Sequence, residues 1–382
     1  MDSPVDFVLS NAKVVAATRV FEGWVAVEGG RIAEVGEGRP PAGGLDMAGD
    51  YIIPGLVELH TDHLEAHLQP RPKVRWDMMS AILAYDAQMA ASAVTTVFDS
   101  LRVGAASKTD ALSQYAEDIA VAMDEARALD LLRCDHHTHL RCEIATPDVV
   151  DDTRAFVGKR KVDLISLMDH TPGQRQFRDL VKMRTYYARH GFVDDAGFDA
   201  FVVERLAMHE EFARKNRRAL VAIAHESGAA LASHDDATPE HVDEAIADRV
   251  SIAEFPTTLE AAEQSHDCGV KVLMGAPNVV RGGSHSGNVA AQELAEAGRL
   301  DILSSDYVPA SLILAAFALP RLTPRIDLAH ALRLVTKNPA EATGLEDRGE
   351  IAAGKRADLV RIRYAAEQPV VRCVWRAGVR VT

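Results

Sequence analysis

Cysteine is scarce: Cys134, Cys142, Cys268 and Cys373 are the only four in 382 residues, and no two form a C-x-x-C pair. A small disulfide-stapled scaffold is excluded, and reduced thiols are expected. Basic charge is in deficit too, with Lys+Arg 42 against Asp+Glu 56 and a formal net charge of -14. That balance argues against a broad basic face for nucleic acid or anionic membrane, so a polyanionic ligand needs a local basic pocket or metal ions. Long apolar runs are missing: Leu312 to Leu319 stops at Pro320, well short of the ~20 residues of a spanning helix. No basic stretch followed by an apolar one succeeds Asp2, Ser3 and Pro4, so no secretory signal is visible and a cytoplasmic chain is expected.

Several familiar catalytic signatures are absent as well. No Gly-Lys-Ser or Gly-Lys-Thr marks a Walker loop, and Ser227 lies outside any Gly-x-Ser-x-Gly elbow. His63 and His67 are four apart but have no glutamate where a zincin needs one. Cys142 stands beside Glu143 without a paired base, which favours packing over a thiolate role.

What is present is rhythm. A 382-residue chain allows two to three domains at roughly 150 residues each, or one large α/β barrel with attachments. Both ends alternate apolar and polar residues in short bursts, with turn signals at Glu28-Gly29-Gly30 and Ala377-Gly378, the pattern of a small antiparallel β unit shared by the termini. Between them, apolar runs alternate with helical patterns: 57–62, 94–99, 131–142, 163–170, 230–235, 250–256, 270–277 and 301–308. Eight such βα repeats predict a closed (β/α)8 TIM-like barrel carrying a small β-sandwich built from both termini. The boundaries expected are 1–55 plus 345–382 for the sandwich and 56–344 for the barrel. The long connection 174–228 is predicted to be a helical insertion at one side of the barrel mouth, since a structureless loop of that length is improbable.

Barrel enzymes carry their reactive groups at the carboxyl ends of the strands. Here those ends hold His60-Thr61-Asp62, His139 with Glu143, Asp169-His170, His234-Asp235-Asp236 and Asp306. Two-residue spacing puts His60 and Asp62 on one face of a strand, where both can grip one cation. A lone inward histidine is most often a hydrogen-bonded core residue, and His136 and His137 are read that way. Five converging strand ends favour a metal site.

These segments resemble the amidohydrolase superfamily. The resemblance rests on Ile53-Pro54-Gly55-Leu56-Val57-Glu58-Leu59-His60-Thr61-Asp62, Glu143, His234 and Asp306. More specific stretches are similar to its triphosphate diphosphatase branch in phosphonate catabolism: Pro70-Arg71-Pro72-Lys73-Val74, Asp169-His170-Thr171-Pro172-Gly173-Gln174, Met274-Gly275-Ala276-Pro277-Asn278 and Ser304-Ser305-Asp306-Tyr307. The resemblance implies a (β/α)8 barrel flanked by a β-sandwich, a binuclear divalent-metal site, and hydrolysis of α-D-ribose 1-methylphosphonate 5-triphosphate to the 5-phosphate and pyrophosphate. Most of the superfamily has histidine where this chain has Asp62, and many members have one at Glu254.

On that footing, His60 and Asp62 hold one metal ion, His170 and His234 the other, Glu143 bridges them, and Asp306 orients or deprotonates the water they activate. Zinc is the first choice for the two ions, with manganese, iron or magnesium as alternatives. Arg71, Lys73, Arg175, Arg281 and Asn278 are expected to bind the substrate, because charge on a pyrophosphate leaving group grows in the transition state. The partner is then a small sugar triphosphate, without nucleic acid or membrane; a homo-oligomer is left open. Two other readings compete: a cyclic amide hydrolase or deaminase, which has no need of mouth arginines, and a non-catalytic scaffold, which has no need of an intact ligand set.

Overall fold

The computed structural model describes residues 6–40, 43–71, 74–104, 115–177, 183–184, 195–284 and 287–382. Lys73, two members of the Gly-Ser stretch after Arg281 and part of the 174–228 connection lie outside the described residues.

Strands β1 (Phe7–Val15), β2 (Val20–Glu28), β3 (Arg31–Glu37), β4 (Leu45–Asp46) and β5 (Tyr51–Pro54) open the chain. The barrel strands follow: β6 (Leu56–Thr61), β7 (Val94–Val103), β8 (Asp135–Glu143), β9 (Leu164–Met168), β10 (Ala230–His234), β11 (Ile252–Glu254), β12 (Lys271–Gly275) and β13 (Ile302–Ser304). The chain closes with β14 (Leu359–Ala365), β15 (Gln368–Arg376) and β16 (Val379–Arg380). The first and last groups share one sheet in the order β16-β15-β14-β5-β1-β2-β3, with β4 paired to β1. Its hairpins turn through residues with positive φ, Gly29 and Gly30 at 55° and 79°, Ala377 and Gly378 at 48° and 77°, the conformation that matches strand twist. Asn11, at φ 53°, interrupts the β1–β2 register between Leu9 and Ala12; asparagine tolerates the left-handed region that such an irregularity requires. Leu9, Val14, Val25, Ile52, Leu359 and Trp375 form the heart of this sheet's core, each fully buried large side chain contributing about 1.5–3 kcal/mol.

The second sheet runs β13-β12-β11-β10-β9-β8-β7-β6, with parallel pairing as in β8 with β9 and β10 with β11. It closes on itself at the seam between β6 and β13: Thr61 bridges Asp306 in parallel, the Asp62 amide donates to the Asp306 carbonyl at 3.1 Å, and the Asp306 amide donates to the His60 carbonyl at 3.1 Å. Every residue of β6, β9 and β13 is buried, as helix-covered parallel strands require. Gly55 precedes β6 because a Cβ there would lie 2.2 Å from Thr95 Oγ1.

The chain divides into two compact units: Met1–Asp99, Ile119–His137 and Met274–Thr382 form the first, Ser100–Asp118 and Thr138–Leu273 the second. The terminal sheet belongs entirely to the first. In the second, the described part of the long connection is helical, Asp195–Met208, then a π turn His209–Ala213, then Arg214–Ser227 ending at Gly228 with φ 73°. Among the described residues no helix is long and apolar enough to cross a membrane.

Candidate metal centre

In the first unit the site begins with β6. Strand alternation sets Glu58 and His60 on one side, and both are buried. The Glu58 carboxylate takes the His60 amide on Oε1 at 2.7 Å and the Ser305 amide on Oε2 at 2.6 Å, tying β6 to the end of β13. Burial pushes the Glu58 carboxyl up to about 8, the direction desolvation imposes on any buried acid. Asp306 sits at φ 54°, a conformation that aspartate tolerates better than most residues but still at a cost. Its backbone is held by His60, Asp62 and the Thr61 hydroxyl, which donates to the Asp306 carbonyl at 3.1 Å. His63 and His67 both turn Nε2 to Gln88 Oε1, at 3.0 Å each, so that pair forms its own hydrogen-bonded group.

In the second unit His170, His234 and Asp235 bring ligand atoms within 4.8 Å of one another. Each imidazole is oriented by a carboxylate: His170 Nδ1 lies 2.7 Å from Glu143 Oε2, and His234 Nδ1 lies 3.1 Å from Glu254 Oε2. A ring whose Nδ1–H donates to a carboxylate carries its lone pair on Nε2, the tautomer of a metal-ligating histidine. His234 Nε2 indeed faces Asp235 Oδ2 at 3.5 Å. The His170 amide also donates to Glu143 at 3.1 Å. A buried chain extends further: Ser166 Oγ donates to Glu254 Oε2 at 2.7 Å and meets His139 Nε2 at 2.5 Å, with His139 Nε2 3.8 Å from Glu254 Oε1. Two imidazoles and a carboxylate, each ring backed by a second carboxylate, are a donor set that fits a divalent first-row cation.

Several expected residues have other engagements. Glu143 contacts His170 and, at 3.6 Å, Arg205. Arg175 is 5 % exposed, ion-paired with Asp236, 3.5 Å from Glu244, and bonded to the His234 carbonyl at 3.2 Å. Asn278 accepts from the Ala291 amide at 3.1 Å and donates to the Val289 carbonyl at 3.5 Å, bracing the segment that follows β12. Arg281 reaches the Tyr307 hydroxyl at 3.4 Å, and both are exposed. Arg71 is exposed, and its carbonyl accepts from the Val74 amide at 3.0 Å.

His136 belongs to a separate buried cluster, Nδ1 2.9 Å from Asp99 and Nε2 3.3 Å from Asp86. Burial alone would lower its affinity for a proton, but the two carboxylates outweigh that and hold it at about 9. His137 stacks on Phe98 at 4.8 Å. Burial pushes the Cys142 thiol up to about 12, which excludes a ready thiolate at neutral pH.

Asp235 completes the cluster and Glu254 backs it through His234, and neither belongs to the ligand set expected from the sequence. The signal for Asp235 is conformational: at φ 56° it leaves the strand alternation that would turn it away from His234. For Glu254 the signal was an acid inside the otherwise largely apolar run 250–256.

A family model described as "Amidohydrolase family" matches residues 184–382. Among curated proteins, the alpha-D-ribose 1-methylphosphonate 5-triphosphate diphosphatase of Escherichia coli (strain K12) is 44% identical over 378 residues, covering 98% of this chain and 100% of the relative. The adenine deaminase of Desulfatibacillum aliphaticivorans is 24% identical over 390 residues, covering 100% of this chain and 59% of the relative. Among solved structures, N-isopropylammelide isopropylaminohydrolase from Burkholderia multivorans ATCC 17616 superposes with a TM-score of 0.65 at 18% identity, covering 98% of both chains. N-acetyl-D-glucosamine-6-phosphate deacetylase from Mycobacterium smegmatis does so with a TM-score of 0.61 at 17% identity, covering 98% of this chain and 99% of the other. At those identities the structural likeness concerns the fold. With a full-length relative at 44% identity and a family model across its C-terminal half, the chain belongs to the amidohydrolase family.

Proposed function

We propose that this protein is a metal-dependent hydrolase that converts α-D-ribose 1-methylphosphonate 5-triphosphate to the 5-phosphate and pyrophosphate. The observation that carries the reading is the end-to-end 44% identity to a diphosphatase of that substrate. The strand ends support it with chemistry suited to hydrolysis. His170, His234 and Asp235 would hold one divalent ion and His60 with Asp62 a second, zinc being the first choice and manganese, iron or magnesium the alternatives. Such ions, when bound, supply Lewis acidity that brings the pKa of water towards about 7 and offsets phosphoryl charge.

The residues of the chain do the rest. Glu143 and Glu254 fix the tautomers of His170 and His234. Asp306, held in its unusual backbone conformation by the end of β6 across the seam, accepts the proton of the attacking water on its carboxylate. The water oxygen bonds to the α phosphorus as the α–β bridging P–O bond breaks, and the bridging oxygen leaves with pyrophosphate. Arg71, Lys73 and Arg281 meet the phosphoryl charge that a chain of net charge -14 would otherwise repel. Arg175, engaged with Asp236, positions the loop after β10.

The test is hydrolysis in ¹⁸O-labelled water with the metal-replete protein. One pyrophosphate per 5-phosphate, with label in the 5-phosphate, is the expected result. Release of orthophosphate, or turnover of hydantoin or adenine in place of the triphosphate, would favour another member chemistry of the family.

A further inference from the structure

The surroundings of the two proposed histidine ligands of the second unit, His170 and His234, are gripped by basic side chains from a segment that is not part of the barrel. On the helix Asp195–Met208, Arg205 is 2 % exposed and stands 3.6 Å from Glu143, the carboxylate that orients His170. Four residues on, at the first position of the π turn, His209 Nδ1 stands 3.0 Å from Asp169, the residue before His170. A four-residue step places Arg205 and His209 on one helix face, so this single face takes hold of both carboxylates next to His170. Arg175, at the start of the same connection and at φ 38°, donates to the His234 carbonyl at 3.2 Å and pairs with Asp236 two residues on.

These pairs differ from stray ion pairs in where they end. Each terminates on an imidazole's own loop or on the carboxylate that sets its tautomer, and all three basic side chains come from one connection. π turns are rare and occur mostly as single insertions at functional sites; here the turn begins at the residue that reaches Asp169.

We infer that the connection after β9 is a positioning clamp for the proposed metal centre, with Arg205 and His209 setting His170 and Arg175 setting His234. This rests on the proposed metal centre and adds to it that metal affinity depends on residues outside the barrel. The clamp residues touch neither the metal nor the substrate. They act by holding Glu143, Asp169 and the His234 loop where the two rings converge.

The experiment is chelator-competition titration with Zn²⁺ alone, on the full chain, for wild type, Arg205→Ala, Arg205→Lys and His209→Asn, with thermal unfolding recorded for each. Outer partners of ligating histidines typically account for 10–100-fold in metal affinity. Arg205→Ala is expected to weaken one Zn²⁺ equivalent by that factor, Arg205→Lys to recover most of it, and His209→Asn to weaken it several-fold. Should Arg205→Ala fail to fold, the other two variants still decide. Unchanged Zn²⁺ affinity in folded variants overturns the clamp and leaves the metal centre standing. So does a change confined to KM for the triphosphate, which would make Arg205 a substrate-binding residue. Wild-type protein that takes up no Zn²⁺ removes the metal centre itself, and the clamp with it.

Discussion

Asp135 and Asp235 are both acids at strand ends, the first half-buried and the second buried, and they are treated in opposite ways. Asp135, at the start of β8, is surrounded by guanidiniums: Arg348 at 2.9 Å, Arg376 at 3.3 Å, and Arg356 in a still shorter pair. Burial works to raise its carboxyl, but the arginines outweigh this and hold it at about 2. The terminal sheet repeats the pattern at Asp50, matched by Arg361 and Arg363 at 2.7 Å each. At the other ends of the strands, Asp235 and Glu254 face imidazoles. A buried acid matched by arginine is a finished ion pair. An acid that shares its surroundings with oriented imidazoles is arranged for a cation that the chain itself does not supply. The first kind of site holds the molecule together; the second is where chemistry is proposed.

The contrast can be broken at either end. Asp306→Asn should lower kcat by about 10²–10⁴, the usual contribution of a positioned base, with metal content by elemental analysis near wild type. Undiminished turnover would reject the base role. Asp135→Ala leaves three half-buried guanidiniums without their shared anion. It should cost on the order of 3 kcal/mol in denaturant unfolding, with Zn²⁺ stoichiometry and activity per folded molecule unchanged. A loss of metal without a loss of stability would show that the two kinds of site are not separate.

Titration sharpens the same comparison. The His136 pKa is raised in the fold, to about 9, from about 6.5 unfolded. Its stabilising contribution is therefore complete below about 6.5 and disappears as pH rises through 9. The stability difference between wild type and His136→Asn should be constant from pH 5 to 6.5 and shrink towards pH 9. Asp135 runs the other way: its contribution is complete above about 3.9 and is lost as pH falls towards 2. The smallest effect belongs to the exposed pair Arg19–Glu37: Arg19→Ala should change stability by about 0.5 kcal/mol or less.

Much of this was legible in the chain. Each of the eight apolar runs overlaps one of the eight barrel strands, because parallel strands covered by helices must be apolar on both faces, and the strand-end histidines followed from where those runs stop. The ligand geometry was harder to read. Asp235, Phe255 and Asp306 each take positive φ at a strand end, and a non-glycine residue in that region breaks the alternation by which inward residues are counted. Glu143 has the residue type of a bridging ligand, yet it binds His170 Nδ1 and leans on Arg205, a partner 62 positions away in sequence that no local pattern announces. Arg175 follows a strand and carries the right charge for a phosphate, but Asp236 claims it. Local periodicity places elements; which side chains meet depends on kinks and long-range pairs that periodicity does not encode.

The central claim is that hydrolysis of the triphosphate depends on cations bound at these strand ends. Chelator-stripped protein titrated with Zn²⁺ or Mn²⁺, with pyrophosphate release followed at each addition, tests it most directly. Turnover should start near zero, rise with metal added and level off at about two equivalents per chain, one for each proposed ion. Stripped protein that already releases pyrophosphate at the full rate, or a metal-replete sample that leaves the triphosphate intact, would contradict it.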